Sequence, residues 1–287
     1  VQAVSGAPIA VKGGSYTAVS AAILLPAIDA TSPVSITGSN VVSNGNNGIR
    51  FDATVAGRVT ISDSNLAATV SGSSALFVRF AITAPFSVSG TTARGVSHAM
   101  NFVDVQSPFS LDNVVASVSA SGTPLLFGAI TATSVKISGG SFSSDFAEAV
   151  SSLTMDGVSL LSTATLAVKF QDIAGVVDIM GASLTGQAKA IHVLLAVAGT
   201  ASISIRNSAL SSTAGNVVQF ASTVAGPVSI SGSSVLCDSA SNSALVFIGA
   251  VTAPVTISKT SVSSIFNSVT FLNAQAALTL TEVAVTT

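Results

Sequence analysis

The chain has 287 residues, of which 8% are charged and 48% are hydrophobic, and its formal net charge is −2. An average globular domain carries about 25% charged residues. The sequence contains no basic patch, so we expect neither nucleic acid nor an anionic membrane surface as a partner. It also contains no uninterrupted run of about 20 apolar residues, so direct membrane insertion is not expected. The single cysteine, Cys237, excludes an intrachain disulfide.

A short pattern repeats along the chain with a period of about 25 residues. It reads PVSITGSNV from Pro33, PVSISGSSV from Pro227 and PVTISKTSV from Pro254. In chain order the repeats begin at Pro8, Pro33, Arg58, Pro85, Pro108, Ser134, Ser152, Val176, Ser202, Pro227, Pro254 and Ala277. The alternation in V-S-I-S predicts a β-strand, and Gly, Asn and Ser predict corners.

A second pattern, A-L-x-F, follows each first one, and a short third run such as ATVAG precedes the next repeat. Two or three short strands in each repeat of this length predict a parallel β-helix. The predicted fold class is therefore all-β, a single parallel solenoid of about eleven coils with about 25 residues in each. The general rule for parallel crossovers predicts a right-handed coil. We expect residues 1–287 to form one continuous solenoid, with both ends cut within a repeat.

The repeat phase predicts two inward-facing ladders. The first consists of Ile36, Ile61, Val88, Leu111, Ile137, Met155, Ile179, Ile205, Ile230 and Ile257. The second, a structural ladder of aromatic residues, consists of Phe51, Phe77, Phe102, Phe127, Phe146, Phe170, Phe220, Phe247 and Phe271, with Leu194 in one coil. Both sets predict core packing, because stacked coils lie about 4.8 Å apart. The coil that begins at Ser134 is several residues short between Ile137 and Phe146. This predicts a clipped arc, meaning a coil in which one corner or the middle segment is shortened.

The outward positions of the first strand are mostly hydroxyl residues. They are Ser35, Thr37, Thr60, Ser62, Ser87, Ser89, Ser229, Ser231, Thr256 and Ser258. This outward hydroxyl ladder suggests three roles: a carrier of O-linked sugars, a glycan-binding surface, or an ice-binding surface. Uneven coil lengths argue against ice.

Charged residues interrupt this face in five successive repeats, at Asp112, Lys136, Asp156, Asp178 and Arg206. A row of solvated opposite charges, each pair worth little energetically, is the favoured interpretation. The alternative is an enzyme acting on polysaccharides, with Asp156, Asp178 and Arg206 as weak catalytic candidates. A catalytic pair needs two carboxylates converging across a groove. No zinc spacing, phosphate loop or nucleophile motif is present, so no cofactor or metal is expected.

The coil formula V-x-I-x-x-[ST]-x-[VLF] followed by A-L-x-F resembles pectin-lyase-like β-helix repeat proteins. Runs such as GGSYTAVSAAILL and SSVLCDSASNSALVF resemble the large dispersed gene family of surface proteins in kinetoplastid protists. That resemblance implies a membrane-anchored surface protein with a role in adhesion, without defined active-site residues. The chain departs from that family in having one cysteine and no N-x-S/T sequon.

These features together predict an extracellular or cell-surface solenoid with a structural or adhesive role in a fibre or filament, and not an enzyme. The expected partners are neighbouring repeats or copies stacked end to end, together with glycans or other surface proteins. Bare strand edges at the ends of a solenoid pair with further coils, which is the basis of the stacking expectation.

Overall fold

A computed structural model describes residues 7–119, 123–142, 144–162 and 166–286 of the chain. The elements within these residues are β-strands, and the paired strands run parallel. This confirms the predicted β-solenoid, with about 11 turns of about 25 residues. The described part of the chain contains no helix long and apolar enough to cross a membrane.

The chain divides into two compact units, Val1–Asp145 and Phe146–Thr287, and each is described by itself. That residues 1–287 form one continuous solenoid stays a prediction. The strands of the first unit are β1 (Ile9–Lys12), β2 (Ser15–Ala18), β3 (Ile23–Leu25), β4 (Val34–Thr37), β5 (Asn40–Ser43), β6 (Ile49–Phe51), β7 (Val59–Ser62), β8 (Asn65–Ala68), β9 (Ser74–Ile82), β10 (Phe86–Ser89), β11 (Thr92–Gly95), β12 (His98–Val105), β13 (Phe109–Asp112), β14 (Val115–Val118), β15 (Leu125–Ile130) and β16 (Val135–Ser138).

The division between the units falls within β17 (Ser144–Asp156). The second unit continues with β18 (Ser159–Ser162), β19 (Leu166–Met180), β20 (Ser183–Gly186), β21 (Lys189–Val193), β22 (Ser202–Arg206), β23 (Ala209–Ser212), β24 (Val218–Phe220), β25 (Val228–Ser231), β26 (Ser234–Cys237), β27 (Ser243–Val251), β28 (Val255–Ser258), β29 (Ser261–Ser264), β30 (Asn267–Ala274), β31 (Leu278–Thr281) and β32 (Ala284–Thr286).

A typical coil contains three strands and a closing bridge, which agrees with the two or three strands expected in each repeat, although one of the three is not among the patterns named above. In one coil the first strand is β4, the second is β5 and the third is β6. Each pairs in parallel with its counterparts in the neighbouring coils. The short third run of the sequence forms only an isolated bridge at Val55, which pairs with Ile28 and Ile82. The strand that the sequence patterns did not identify is β5, in the stretch N-V-V-S directly after the first corner.

The first-strand ladder is in register within each unit. Ile36 pairs with Ile61, Ile61 with Val88, and Val88 with Leu111. In the second unit Ile179, Ile205, Ile230 and Ile257 pair in the same way. These side chains are fully buried. Alternation along the strand therefore places one residue in the core and the next on the surface.

The aromatic ladder occupies the third strands. In two coils the residue predicted for the ladder is wrong by one position. Phe51 pairs with Val78, and Val78 pairs with Phe102. Phe77 is therefore half-exposed on the outer face, one residue out of phase. In the second unit Val193, and not Leu194, pairs with Phe170 and Phe220. A shift of one residue turns a side chain to the opposite face of a strand, which explains both errors.

Five of the ladder residues pack as close ring pairs. Phe102 and Phe127 stack with ring centroids 5.3 Å apart in the first unit. In the second unit Phe247 stacks on Phe220 at 4.7 Å and on Phe271 at 4.5 Å. Phe170 is buried, whereas Phe271 is half-buried. The side chain of Phe146 lies outside the described residues.

The corner after the first strand contains a row of buried hydroxyl residues, the corner hydroxyl ladder. Its members are Ser39, Ser64, Thr91, Ser208, Ser233 and Thr260. The Ser64 hydroxyl donates to the carbonyl of Ser62 at 2.7 Å and accepts from the backbone N–H of Ser39 at 3.2 Å. Ser233 makes the equivalent bonds to Ser231 and Ser208. The ladder thus provides partners for backbone groups where the chain leaves one sheet for the next.

The coil that begins at Ser134 lacks a second strand in the described residues. Between β16 and β17, Ser141 pairs with Val115 of the preceding coil through an isolated bridge. A methyl group added to Gly140 would lie 2.1 Å from the carbonyl oxygen of Val114, so the backbone of the two coils approaches closely here. The clipped arc therefore falls in the second-strand position.

We predict that Phe102→Ala lowers the free energy of unfolding by about 3–5 kcal/mol, because its ring is fully buried and its loss leaves a cavity. The matched control is Phe77→Ala in the adjacent coil, where the ring is half-exposed. We expect the control to have a much smaller effect. Urea denaturation followed by circular dichroism measures both values, and equal losses would contradict the assigned register.

Candidate functional site

The outward hydroxyl ladder forms a polar surface over the first strands. All ten residues are half-buried in the structure, with alternating positions facing outward. Ser62 donates to the hydroxyl of Thr37 at 3.3 Å. Ser87 and Thr60 have their hydroxyl oxygens 3.5 Å apart. Each coil therefore repeats a similar small polar surface, in which part of the hydrogen bonding runs between neighbouring coils.

Two of the five charged residues that interrupt the face lie in the first unit. Asp112 accepts a hydrogen bond from the Ser138 hydroxyl at 2.9 Å. Lys136 is exposed and pairs in register with Ser110. The two therefore occupy different rows of the sheet, because Asp112 pairs with Ser138.

The three weak catalytic candidates lie in the second unit, where the structure brings two of them together. The Arg206 guanidinium donates to both carboxylate oxygens of Asp178, at 2.5 Å and 3.3 Å. Met180 pairs in register with Arg206, and the next residue, Gly181, donates its N–H to the Arg206 carbonyl. Gly157 donates its N–H to the Met180 carbonyl in the same way, so the residue before it, Asp156, is level with Met180. Asp178 lies two residues earlier in its strand. Asp156 and Asp178 therefore occupy different rows, and Asp178 is already engaged by a cation.

The two histidines have different surroundings. The Nδ1 atom of His98 lies 3.0 Å from the carbonyl oxygen of Thr123. His192 pairs in register with Lys169 and Gln219. Its Nε2 atom is buried and has no hydrogen-bond partner among the described residues. Burial, followed by the charges of Lys189 and Lys169, lowers the pKa of His192 to about 4.

Metal ligands do not gather in the described ranges, where no group of three His, Cys, Asp or Glu residues is placed to hold an ion. Cys237 is buried, with its Sγ atom 3.4 Å from the carbonyl oxygens of Gly215 and Asn242.

A shallow groove of about 300 Å³ lies on the outer face of the first unit. We call it the Arg58–Lys136 groove. It is lined by Arg58, Thr60, Pro85, Phe86, Ser87, Pro108, Phe109, Ser110, Ser134 and Lys136. Both cations are exposed, whereas Phe86 and Phe109 are buried beneath the floor. No carboxylate is among the residues that line it.

Sequence reasoning missed this groove, although its signal is present at the first residue of each repeat. Arg58 occupies this position in one repeat, and proline occupies it in six repeats, at Pro8, Pro33, Pro85, Pro108, Pro227 and Pro254. The structure stacks Arg58, Pro85 and Pro108 on successive coils, because each carbonyl accepts from the coil before it. Arg58, which stands at a position that is proline in the coils on either side, therefore lies at one end of the groove.

The fold and these surfaces define the chain as a parallel β-solenoid with a polar outer face. No protein-family model and no curated protein matches the sequence. Among solved structures, one similar chain is the Streptococcus pneumoniae surface protein and adhesin PfbA. The two are 10% identical with a TM-score of 0.28, over 98% of this chain and 92% of that chain. A likeness this low carries no argument, and the resemblance to kinetoplastid surface proteins stays a prediction.

We predict that the second unit loses stability as the pH falls from 6.5 towards 4. In that range the unfolded chain binds a proton at His192 that the folded chain does not bind, because its folded pKa is lowered, so the free energy of unfolding decreases. NMR titration of the His192 ring should give a midpoint near 4. His192→Asn should flatten the pH dependence of unfolding, and an ordinary midpoint near 6.5 would contradict the assignment.

Proposed function

We propose that this chain is an extracellular structural or adhesive solenoid that forms part of a surface fibre or filament. The observation that carries the proposal is the in-register repetition of small hydroxyl residues on one face of both units. In the second unit, Ser204 pairs with Ser229 and Ser229 with Thr256. A surface repeated from coil to coil suits many weak contacts along a partner.

Backbone pairing between coils supports a structural role. In each unit the strands of one coil donate and accept hydrogen bonds along the axis with the coils on either side. Solenoids built in this way extend by adding coils, with each coil contacting only its neighbours. Neighbouring repeats, or copies stacked end to end, are therefore the first partners we propose, and glycans or other surface proteins are the second.

A polysaccharide-cleaving function is less well supported. The bidentate contact between Arg206 and Asp178 occupies the carboxylate that such a mechanism needs, and Asp156 lies in a different row. An exposed pair of this kind contributes at most about 1 kcal/mol to stability. The contact therefore suits a solvated surface charge pair.

We predict that beads coated with the purified chain attach to the surfaces that the native fibre contacts. Replacing Ser229 and Thr256 by Tyr should reduce attachment to the level of uncoated beads, because two bulky rings interrupt the hydroxyl face. The matched control is Ser234→Tyr with Ser261→Tyr, an exposed register pair on the second strands of the same coils. Equal attachment by both double variants would overturn the role of the hydroxyl face.

The surface location has its own test. Immunogold electron microscopy of intact cells from the native source, with antibodies raised against this chain, should label extended fibres outside the cell. Label that is found only after permeabilisation would overturn the extracellular proposal.

A further inference from the structure

The Arg58–Lys136 groove is a two-by-four grid of residues. One row contains Arg58, Pro85, Pro108 and Ser134, which are linked coil to coil by backbone hydrogen bonds. The other row contains Thr60, Ser87, Ser110 and Lys136, which pair in register. The two cations therefore lie at diagonally opposite corners, three coils and two residues apart.

The spacing of the cations follows from the strand geometry. Three steps between coils at about 4.8 Å, combined with two residues along the strand, separate the two Cα atoms by about 16 Å. This exceeds the screening length of about 8 Å at physiological ionic strength, so the two charges act separately. A ligand that engages both must be extended along the coil axis and must carry at least two separate negative charges.

The residues on the floor of the groove, between the two cations, indicate what kind of ligand lies between its two negative charges. The Ser87 hydroxyl lies 3.4 Å from the carbonyl oxygen of Val59, and Ser110 continues the hydroxyl row. The rings of Pro85 and Pro108 supply a flat apolar strip beside it, without backbone N–H groups. Hydroxyl groups beside an apolar strip match a sugar ring, which presents hydroxyls at its edge and C–H groups on its face.

Both cations are available to a ligand. Arg58 and Lys136 are exposed, and within the described ranges neither forms an ion pair. Asp112 lies in the row adjacent to Lys136, where its Oδ1 atom accepts from Ser138. The planar guanidinium of Arg58 can present two donors to one anionic group, whereas Lys136 acts as a point charge.

We infer that this groove binds an extended anionic glycan, with one sulfate or carboxylate group at Arg58 and a second at Lys136. The inference rests on the proposed adhesive function and names the class of ligand for it. No bond is made or broken, since the groove contains no carboxylate to act as an acid or base.

The test is isothermal titration calorimetry of the whole chain with heparin hexasaccharide, hyaluronan hexasaccharide and neutral chitohexaose. We expect an anionic hexasaccharide to bind and the neutral one to bind far more weakly, with affinity falling as salt is added. Arg58→Gln and Lys136→Gln should each weaken binding by up to about fivefold, which corresponds to about 1 kcal/mol, the upper value for one exposed ion pair. The double variant should lose up to about 25-fold, because distant sites add.

The matched controls are Arg94→Gln and Lys12→Gln. Both residues are exposed cations of the first unit outside the groove, and we expect changes of less than about twofold for each. Binding of heparin alone would identify sulfate as the recognised group, whereas binding of hyaluronan would show that carboxylate suffices. Equal binding of chitohexaose, or equal losses in all four variants, would overturn the inference. Neither result would affect the attachment and immunogold tests of the adhesive function, which use other residues and another readout.

Discussion

The constraint on which the structure depends is the parallel backbone pairing of each coil with the next at a fixed register. Val34 N–H donates to the carbonyl of Arg58, and Val59 N–H donates to that of Pro85, so equivalent residues stack directly above one another. A side chain in one coil therefore has its counterparts as its nearest neighbours. In the core, stacked side chains must therefore have compatible sizes, which is why Ile61 stacks between Ile36 and Val88. On the outer face the side chains reach solvent and their sizes are not restricted in this way, so Ser, Thr, Asp and Lys occupy the same position in different repeats.

The same register explains how much of the fold the sequence predicts. The alternation in the first strand correctly placed the ladder from Ile36 to Leu111 in the core. A strand repeats every two residues, so its facing is unambiguous once one apolar residue is placed. The third strand was harder, since ALFVRF offers Phe77 and Val78 for one position. Residue type favoured Phe77, whereas the position within A-L-x-F favours Val78, and the structure follows position. Counting four positions, with the alanine that begins each run as the first, selects Val78 in one coil and, from Ala190, Val193 in the other.

Corners were the least predictable part of the coil, because their requirements concern the backbone. The residue after the first strand has a positive φ in successive coils, 50° at Asp63 and 53° at Gly90. A methyl group on Gly90 would lie 2.6 Å from the Asp63 carboxylate, so a side chain at position 90 would crowd the Asp63 carboxylate. The buried hydroxyl that follows, Ser64 or Thr91, bonds backbone groups and not other side chains. The formula contains this hydroxyl position, yet its role depends on carbonyls that only the coiled backbone brings within reach.

Low charge gives the few exposed cations a larger role than they would have on an ordinary protein surface. With 8% charged residues, most positions around Arg58 and Lys136 are Ser, Thr or Pro, and no carboxylate is among the residues that line the groove between them. Where a carboxylate lies within reach of a cation, the two form an ion pair, as Arg206 does with Asp178. Among the described residues of the first unit, none forms an ion pair with Arg58. Because screening limits each charge to its own surroundings, a ligand gains from both cations only by spanning the coils between them, and the solenoid geometry thereby sets the minimum length of what it binds.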